Sequence, residues 1–497
     1  MNQARAFRFS LLLALSFFVG CRNNTGLNLG NGSSFLPGGL TGNGSNTSSN
    51  AGNGNEGSIS FNFNGQGNSE QDPPSGSPFS TYTGPAFPWL GNIPSFPIPQ
   101  SNSPLWSEAY SDINGWATNA NFYLTIRHPD LNGDGRKDIC ARSSIGLICA
   151  LSLGNTFGPA SLWTSGYSDA GGWGTQDYYW QTIQYADING DGMDDVCGRA
   201  SGGMYCAVSN GQNFSTPTYW TDTYFSNSHG WAAAEYYWRS IRLVDVTGDG
   251  VADVCGRASG GMYCARSNGS SFDAPTYWTT AYNNDGGWAS QDYYWKTISY
   301  PDLNGDGRAD VCGRASGGMY CALSDGSNFI NVGYWSTAFK NQDGWVNEAS
   351  YWASIRFPDI NGDGLADVCG RASGGIYCAL SSGASFGEAR YWTATVFGDS
   401  TGWNSQPHYW QTIRYPDLNG DGAADVCGRS SYGLVCALSA GSSFGPAFLT
   451  RALSDAAGWN THPSGWSTIR FPDLNGDGRQ DLCVRSTAGE ICALTPN

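Results

Sequence analysis

Charged side chains are scarce in this sequence: Lys, Arg, Asp and Glu make up only 13% of 497 residues. Basic residues are the rarer sign, 25 against 41 acidic, which leaves a formal net charge of −16. That balance argues against a nucleic-acid partner, because backbone phosphates would be repelled. Amphipathic runs of helix formers are hard to find. Beyond the first 21 residues, no apolar run is long enough to span a bilayer. The four histidines (His128, His229, His408, His462) share no recurring position, and no Ser or Cys nucleophile motif stands out. The expectation is a protein that is not an enzyme, with a glycan-active enzyme as the less favoured alternative. What the chain has in excess is ring surface and glycine: 14% aromatics, 20 Trp and 69 Gly. Much ring surface with little charge favours a packed β-protein with many tight turns.

The N-terminus reads as a targeting segment. Arg5 and Arg8 precede an apolar run from Phe9 to Val19, too short for a mature membrane helix. It ends in Phe18-Val19-Gly20-Cys21, which resembles a bacterial lipobox. Residues 1–21 are therefore expected to be a lipoprotein signal peptide, with Cys21 acylated as the membrane anchor. The alternative is a plain secretory signal. Residues 22–100 are rich in Asn, Gly, Ser and Pro and cannot bury enough surface to offset their conformational entropy. They read as a disordered tether. The expected location is outside the cytoplasm, on the outer membrane or cell surface.

Residues 101–497 repeat. One motif recurs with its first Asp at 130, 187, 245, 302, 359, 417 and 473, a period of 56–58 residues. Each unit holds four β-like runs. In the second they are Tyr179–Ile183, Asp195–Arg199, Met204–Val208 and Pro217–Trp220. Four antiparallel strands per repeat make a propeller blade. A fourth-strand series runs Trp106, Trp163, Trp220, Trp278, Trp335 and Trp392, with Leu449 in the seventh slot. Trp106 precedes the first motif, and the chain stops after the third strand of the last copy. The fold expected is all-β: a seven-bladed β-propeller of four-stranded antiparallel blades, its ring closed by the N-terminal strand.

The motif reads Asp-x-Asn-Gly-Asp-Gly-x-x-Asp. Oxygen side chains at positions 1, 3, 5 and 9 converge if the backbone curls, which glycines at 4 and 6 permit. The candidate calcium ligands are Asp130, Asn132, Asp134 and Asp138 in the first copy, then Asp187, Asn189, Asp191 and Asp195. Asp245, Thr247, Asp249 and Asp253 follow in the third, and Asp302, Asn304, Asp306 and Asp310 in the fourth. The last three copies supply Asp359, Asn361, Asp363 and Asp367; Asp417, Asn419, Asp421 and Asp425; and Asp473, Asn475, Asp477 and Asp481. Position 12 lacks the bidentate Glu of an EF-hand, and no helices flank the loop. The remaining alternative is turn chemistry without metal. About seven structural Ca2+ are expected, and they would cancel most of the negative charge.

This loop ahead of a β-hairpin, seven times over, resembles the FG-GAP or VCBS-type repeats of integrin α-chain propellers and of fungal seven-bladed propeller lectins. The resemblance covers about residues 101–497, and the Phe-Gly signature survives at Phe157-Gly158, Phe386-Gly387 and Phe444-Gly445. It implies a surface recognition protein. Carbohydrate is the leading ligand class, with an adhesin binding a protein partner as runner-up. A monomer is expected.

Besides Cys21 there are seven Cys-x8-Cys pairs, all expected to be disulfides. They are Cys140 with Cys149, Cys197 with Cys206, Cys255 with Cys264, Cys312 with Cys321, Cys369 with Cys378, Cys427 with Cys436 and Cys483 with Cys492. A two-residue turn at Ser201-Gly202 sets Cys197 opposite Cys206 at a non-hydrogen-bonded site, where a cross-strand disulfide fits. Zinc knuckles use shorter spacings. The same count sets Gly198 opposite Tyr205, leaving room for that ring.

Nineteen Trp fall into three slots: the fourth strand, a Gly-Trp element and a Tyr-Trp element. Two readings stand for the last two slots. The rings pack between blades, or Trp173, Trp180, Trp231, Trp238, Trp288, Trp295, Trp345, Trp352, Trp403 and Trp410 are stacking platforms for sugars. An Arg recurs two residues after the first Cys of each pair (Arg142, Arg199, Arg257, Arg314, Arg371, Arg429, Arg485). It is expected to pair with an Asp of a neighbouring calcium loop, or to meet an anionic ligand.

Overall fold

Each repeat starts with the polar loop that ends in Gly-Trp and finishes on the strand that carries the fourth-strand Trp. The computed structural model describes residues 105–393 and 395–496. The lipobox at Cys21 and the tether of residues 22–100 lie outside the described residues. In the fourth repeat a single helical turn, Asp292–Trp295, leads to the metal-type loop at Asp302, followed by the strands Val311–Ala315, Gly318–Ser324 and Phe329–Ser336. Two-residue turns close the hairpins, as Ala315 pairs with Gly318. Gly318 has φ +136°, and an added Cβ would meet Ser336 O at 2.0 Å, so this corner admits only glycine.

Among the described residues, seven small antiparallel sheets result, two of four strands and five of three. The expected first strand at Tyr179–Ile183 is wrong in register. Asp177–Trp180 is a helical turn, and the inner strand is Gln184–Ala186. Four full strands form only in the second and third sheets, where Ala186 and Val244 precede the motif. The other five copies have Pro129, Pro301, Pro358, Pro416 and Pro472 there. Proline has no N–H to extend a ladder. Their inner strand shrinks to one bridge, such as Ser299 with Cys312.

Leu105–Ser107 pairs with Gly489–Ala493, so the first strand completes the last sheet. Neighbouring repeats are also linked by their loops. The N–H at motif position 8 donates to the carbonyl at position 1 of the preceding copy, as Asp194 to Asp130 at 2.7 Å and Ala252 to Asp187 at 2.8 Å. The same bond joins first to last: Lys137 N–H to Asp473 O, 2.8 Å. Between sheets, each outer-strand Trp packs on a Phe of the next repeat, for example Trp335 on Phe386 with ring centroids 5.6 Å apart. Leu449 does not hold a Trp slot. It pairs with Val435 as Tyr334 pairs with Tyr320, and the sixth sheet lacks the bulge that accommodates Trp335.

All seven hairpins carry the expected disulfide. The bridges join Cys140 to Cys149, Cys197 to Cys206, Cys255 to Cys264 and Cys312 to Cys321. Cys369 to Cys378, Cys427 to Cys436 and Cys483 to Cys492 complete the set. In every case the two cysteines are direct cross-strand partners, as Cys197 faces Cys206 with Cα atoms 4.1 Å apart. That is the close spacing of a non-hydrogen-bonded pair. Seven disulfides are the chemistry of an exported protein. Alkylation without reductant is expected to label none of these fourteen sulfurs, and peptide mapping to link only partners nine positions apart. A bridge between different hairpins overturns the assignment. Among the described residues, no helix is long and apolar enough to cross a membrane.

Candidate functional site

The acidic loops are shaped by their own backbone. In the fourth copy Gly305 and Gly307 have φ +73° and +82°, which turns the chain back on itself. Asp302 then accepts Gly305 N–H on Oδ1 at 2.7 Å and Gly307 N–H on Oδ2 at 2.9 Å. Asn304 Nδ2 donates to Asp306 Oδ2 at 2.8 Å, and Asp306 Oδ1 accepts Arg308 N–H at 3.0 Å. Positions 1, 3 and 5 are thus gathered in one tight turn. Position 9 stands deeper: Asp310 is fully buried and accepts Leu303 N–H at 2.9 Å and Ser324 N–H at 2.6 Å. Burial pushes its carboxyl up to about 7, against those two hydrogen bonds and with the help of the Asp306 and Asp302 charges. A donor set made wholly of oxygens, with two carboxylates raising the buried Asp310, fits a hard cation. Positions 1, 3, 5 and 9 would hold it, and position 9 also anchors the loop to the core. Among the described residues, one trio of His, Cys, Asp or Glu brings ligand atoms within 4.8 Å of one another: His128, Cys483 and Glu490. Cys483 is bonded to Cys492, so that trio offers no thiolate.

Burial removes eight of the ten tryptophan platforms. Trp173, Trp231, Trp288, Trp345 and Trp403 are 1–7% exposed, and Trp180, Trp238 and Trp295 4–7%. Trp352 and Trp410 are half-buried. The space beside Gly198 is taken by Trp173, to which an added Cβ would come within 2.6 Å. A ring wedged against a β-hairpin offers no face to a sugar. The seven hairpin arginines are fully or almost fully buried too. Their partners are not the acidic loops but the polar loops before Gly-Trp. Arg142, Arg371, Arg429 and Arg485 pair with Asp169, Asp399, Asp455 and Asp112, while Arg199, Arg257 and Arg314 donate to Asn227, Asn284 and Asn341.

The exposed aromatic surface lies one residue away. Tyr219, Tyr277, Tyr334 and Tyr391 precede the fourth-strand Trp in repeats two to five and are 47–52% exposed. Each pairs with a hairpin tyrosine: Tyr205, Tyr263, Tyr320 and Tyr377, at centroid distances of 5.1–5.2 Å. The outer ring rests on a glycine, since a Cβ on Gly317 would lie 2.8 Å from Tyr334. In the fourth repeat this pair opens into a cavity of about 630 Å3, walled by the edges of Trp288 and Tyr294 and by the polar groups of Asn283, Ser290 and Ser316. Asn341 donates to the Tyr294 hydroxyl at 3.0 Å and so fixes that wall. The arrangement can stack a flat apolar face on tyrosine and hydrogen-bond its edge. A sequence signal existed: Ser-Gly-Gly-x-Tyr-Cys followed by Tyr-Trp, in four copies only. In the first repeat Leu162 and Ile148 stand in the tyrosine positions.

The family model for FG-GAP-like repeats matches residues 130–198 and 302–370. No curated protein sequence matches the chain. Among solved structures, an Agrocybe aegerita lectin is 28% identical with a TM-score of 0.58, the match covering 68% of this chain and 83% of the lectin. That structure concerns specific recognition of non-reducing terminal N-acetylglucosamine. A Photorhabdus luminescens Tc holotoxin pore is 14% identical with a TM-score of 0.41, over 72% of this chain and 17% of the toxin chain, too distant to argue from. Residues 130–198 and 302–370 of this chain thus match FG-GAP-like repeats, and its small antiparallel sheets have a propeller lectin among their structural neighbours.

Proposed function

We propose that this chain is a calcium-stabilised, seven-bladed recognition propeller that binds carbohydrate at its tyrosine pairs. The observation that carries the reading is the exposed Tyr320–Tyr334 pair at the mouth of a 630 Å3 cavity, in a fold similar to that of a lectin. Seven sheets joined loop to loop, with Leu105–Ser107 on the last one, support a closed ring. The protein acts by binding and not by catalysis. The seven disulfides support export, and the Gly20-Cys21 junction supports a lipid anchor. Four tyrosine pairs on one molecule favour dense glycans through multivalency.

A glycan array probed with the full chain tests this, with terminal N-acetylglucosamine as the first ligand to examine. In Tyr334→Ala combined with Tyr277→Ala, retention is expected to fall at least tenfold. The melting temperature should stay within a few degrees, because the outer rings are half in solvent. Undiminished retention in the folded variant removes these pairs from the reading. Binding to a protein surface that no free sugar competes would favour an adhesin instead.

A further inference from the structure

Three residues before each acidic loop, the chain runs along the inner edge of its sheet, opposite the first Cys of the hairpin. The seven positions are Arg127, Gln184, Arg242, Ser299, Arg356, Arg414 and Arg470. Five of the 25 basic residues of an acidic chain therefore occupy one structural position. The inner edges lie side by side: Gln184 Nε2 donates to Ile241 O of the next repeat at 3.0 Å, and its Oε1 accepts Leu243 N–H at 3.2 Å.

The five guanidinium groups are held alike. Each places one NH1 on two backbone carbonyls, one and three residues earlier, as Arg242 does on Ile241 and Arg239 at 2.8 Å each. Arg127, Arg356, Arg414 and Arg470 repeat that pattern. The other donors of each fork have no protein acceptor, and among the described residues none of the five has a carboxylate within ion-pair distance. Burial lowers the basicity of all five, although Arg242 and Arg356 are open to solvent. The charge of Arg127 is felt by Arg242, Arg414 and Arg470, from the third, sixth and seventh repeats, so these inner-edge groups share one electrostatic field. Glu490, fully buried beside His128 at 3.7 Å, is felt by Arg470 alone of the five. Three hydroxyls beside the arginines, on Tyr185, Tyr300 and Tyr415, are buried without a hydrogen-bond partner.

We propose that this ring of inner-edge arginines is an anion-binding site that takes one multivalent oxyanion, a sulfate or phosphate group, into its open guanidinium forks. Planar forks already fixed by backbone carbonyls match such oxygens at low entropic cost. Like charges with no carboxylate at ion-pair distance supply the driving force, and the field falls off steeply with salt. The site is separate from the tyrosine pairs and takes charge where they take an apolar face.

The test is equilibrium dialysis of the full chain against radiolabelled inorganic sulfate at low ionic strength. Saturable binding of one sulfate per chain is expected, lost on adding sodium chloride. Arg242→Gln/Arg356→Gln should weaken it at least tenfold while neutral N-acetylglucosamine is bound as before. Arg242→Gln alone, with a several-fold loss, serves if the double variant does not fold. N-acetylglucosamine 6-sulfate displacing the label better than sulfate identifies a glycan substituent as the source, and equal displacement a free anion. No saturable sulfate, or unchanged affinity in a folded variant, overturns the site.

Discussion

Trp403→Ala will cost roughly 3–5 kcal/mol of stability, the range for deleting a large ring from a packed interior. Trp403 is 1% exposed, and its ring lies 4.5 Å from that of Phe397. It also covers Gly428, where an added Cβ would come within 2.8 Å. The surroundings cannot collapse into the gap, since Gly428 sits in a hairpin pinned by the bridge from Cys427 to Cys436. Both the transfer term and the cavity term therefore apply in full. Urea unfolding of the full chain measures the change. The control is Tyr391→Ala, whose ring is 48% exposed and should cost far less. A Trp403→Ala midpoint within error of the parent would mean the ring is a surface after all.

The contrast between those two residues shows where the sequence is legible. Periodicity made the seven units plain, and the Cys-x8-Cys count placed each disulfide, from Cys140 with Cys149 to Cys483 with Cys492. Hairpin register follows from a two-residue turn alone. The four-strand expectation failed in five copies for a reason visible in the chain: Pro301 and its equivalents remove the donor that extends the inner strand. The helical turn at Asp177–Trp180 was hidden, since Tyr-Tyr-Trp has strong strand character and only tertiary packing overrides it. Aromatic roles were misassigned because two Trp slots looked like surplus. Gly198 and its equivalents, read as room for tyrosine, are room for Trp173 and its equivalents, which pushes the tyrosines outward. Leu449 misled because a bulge shifts alignment by one, and no local residue announces it.

Calcium removal should produce the other large effect, and its size should depend on pH. At a calcium concentration ten times Kd, one site adds about 1.4 kcal/mol, and seven sites acting together would add on the order of 10 kcal/mol. Without metal, the position-9 carboxyls are pushed up to about 6 or 7, chiefly by burial. An acid whose folded pKa exceeds its unfolded value of about 3.9 destabilises the fold when ionised. The stripped chain should therefore lose stability as pH rises from about 4 to 7. The calcium-loaded chain should do the opposite, because ligand carboxylates must be ionised and protons compete with metal. Melting scans with and without EDTA should thus differ most near pH 7.5 and converge near pH 5. Magnesium should restore little, since it demands tighter octahedral geometry and sheds water reluctantly. Identical scans at pH 7.5, on a sample shown by metal analysis to be calcium-free, would leave the loops as turns held by their own backbone hydrogen bonds.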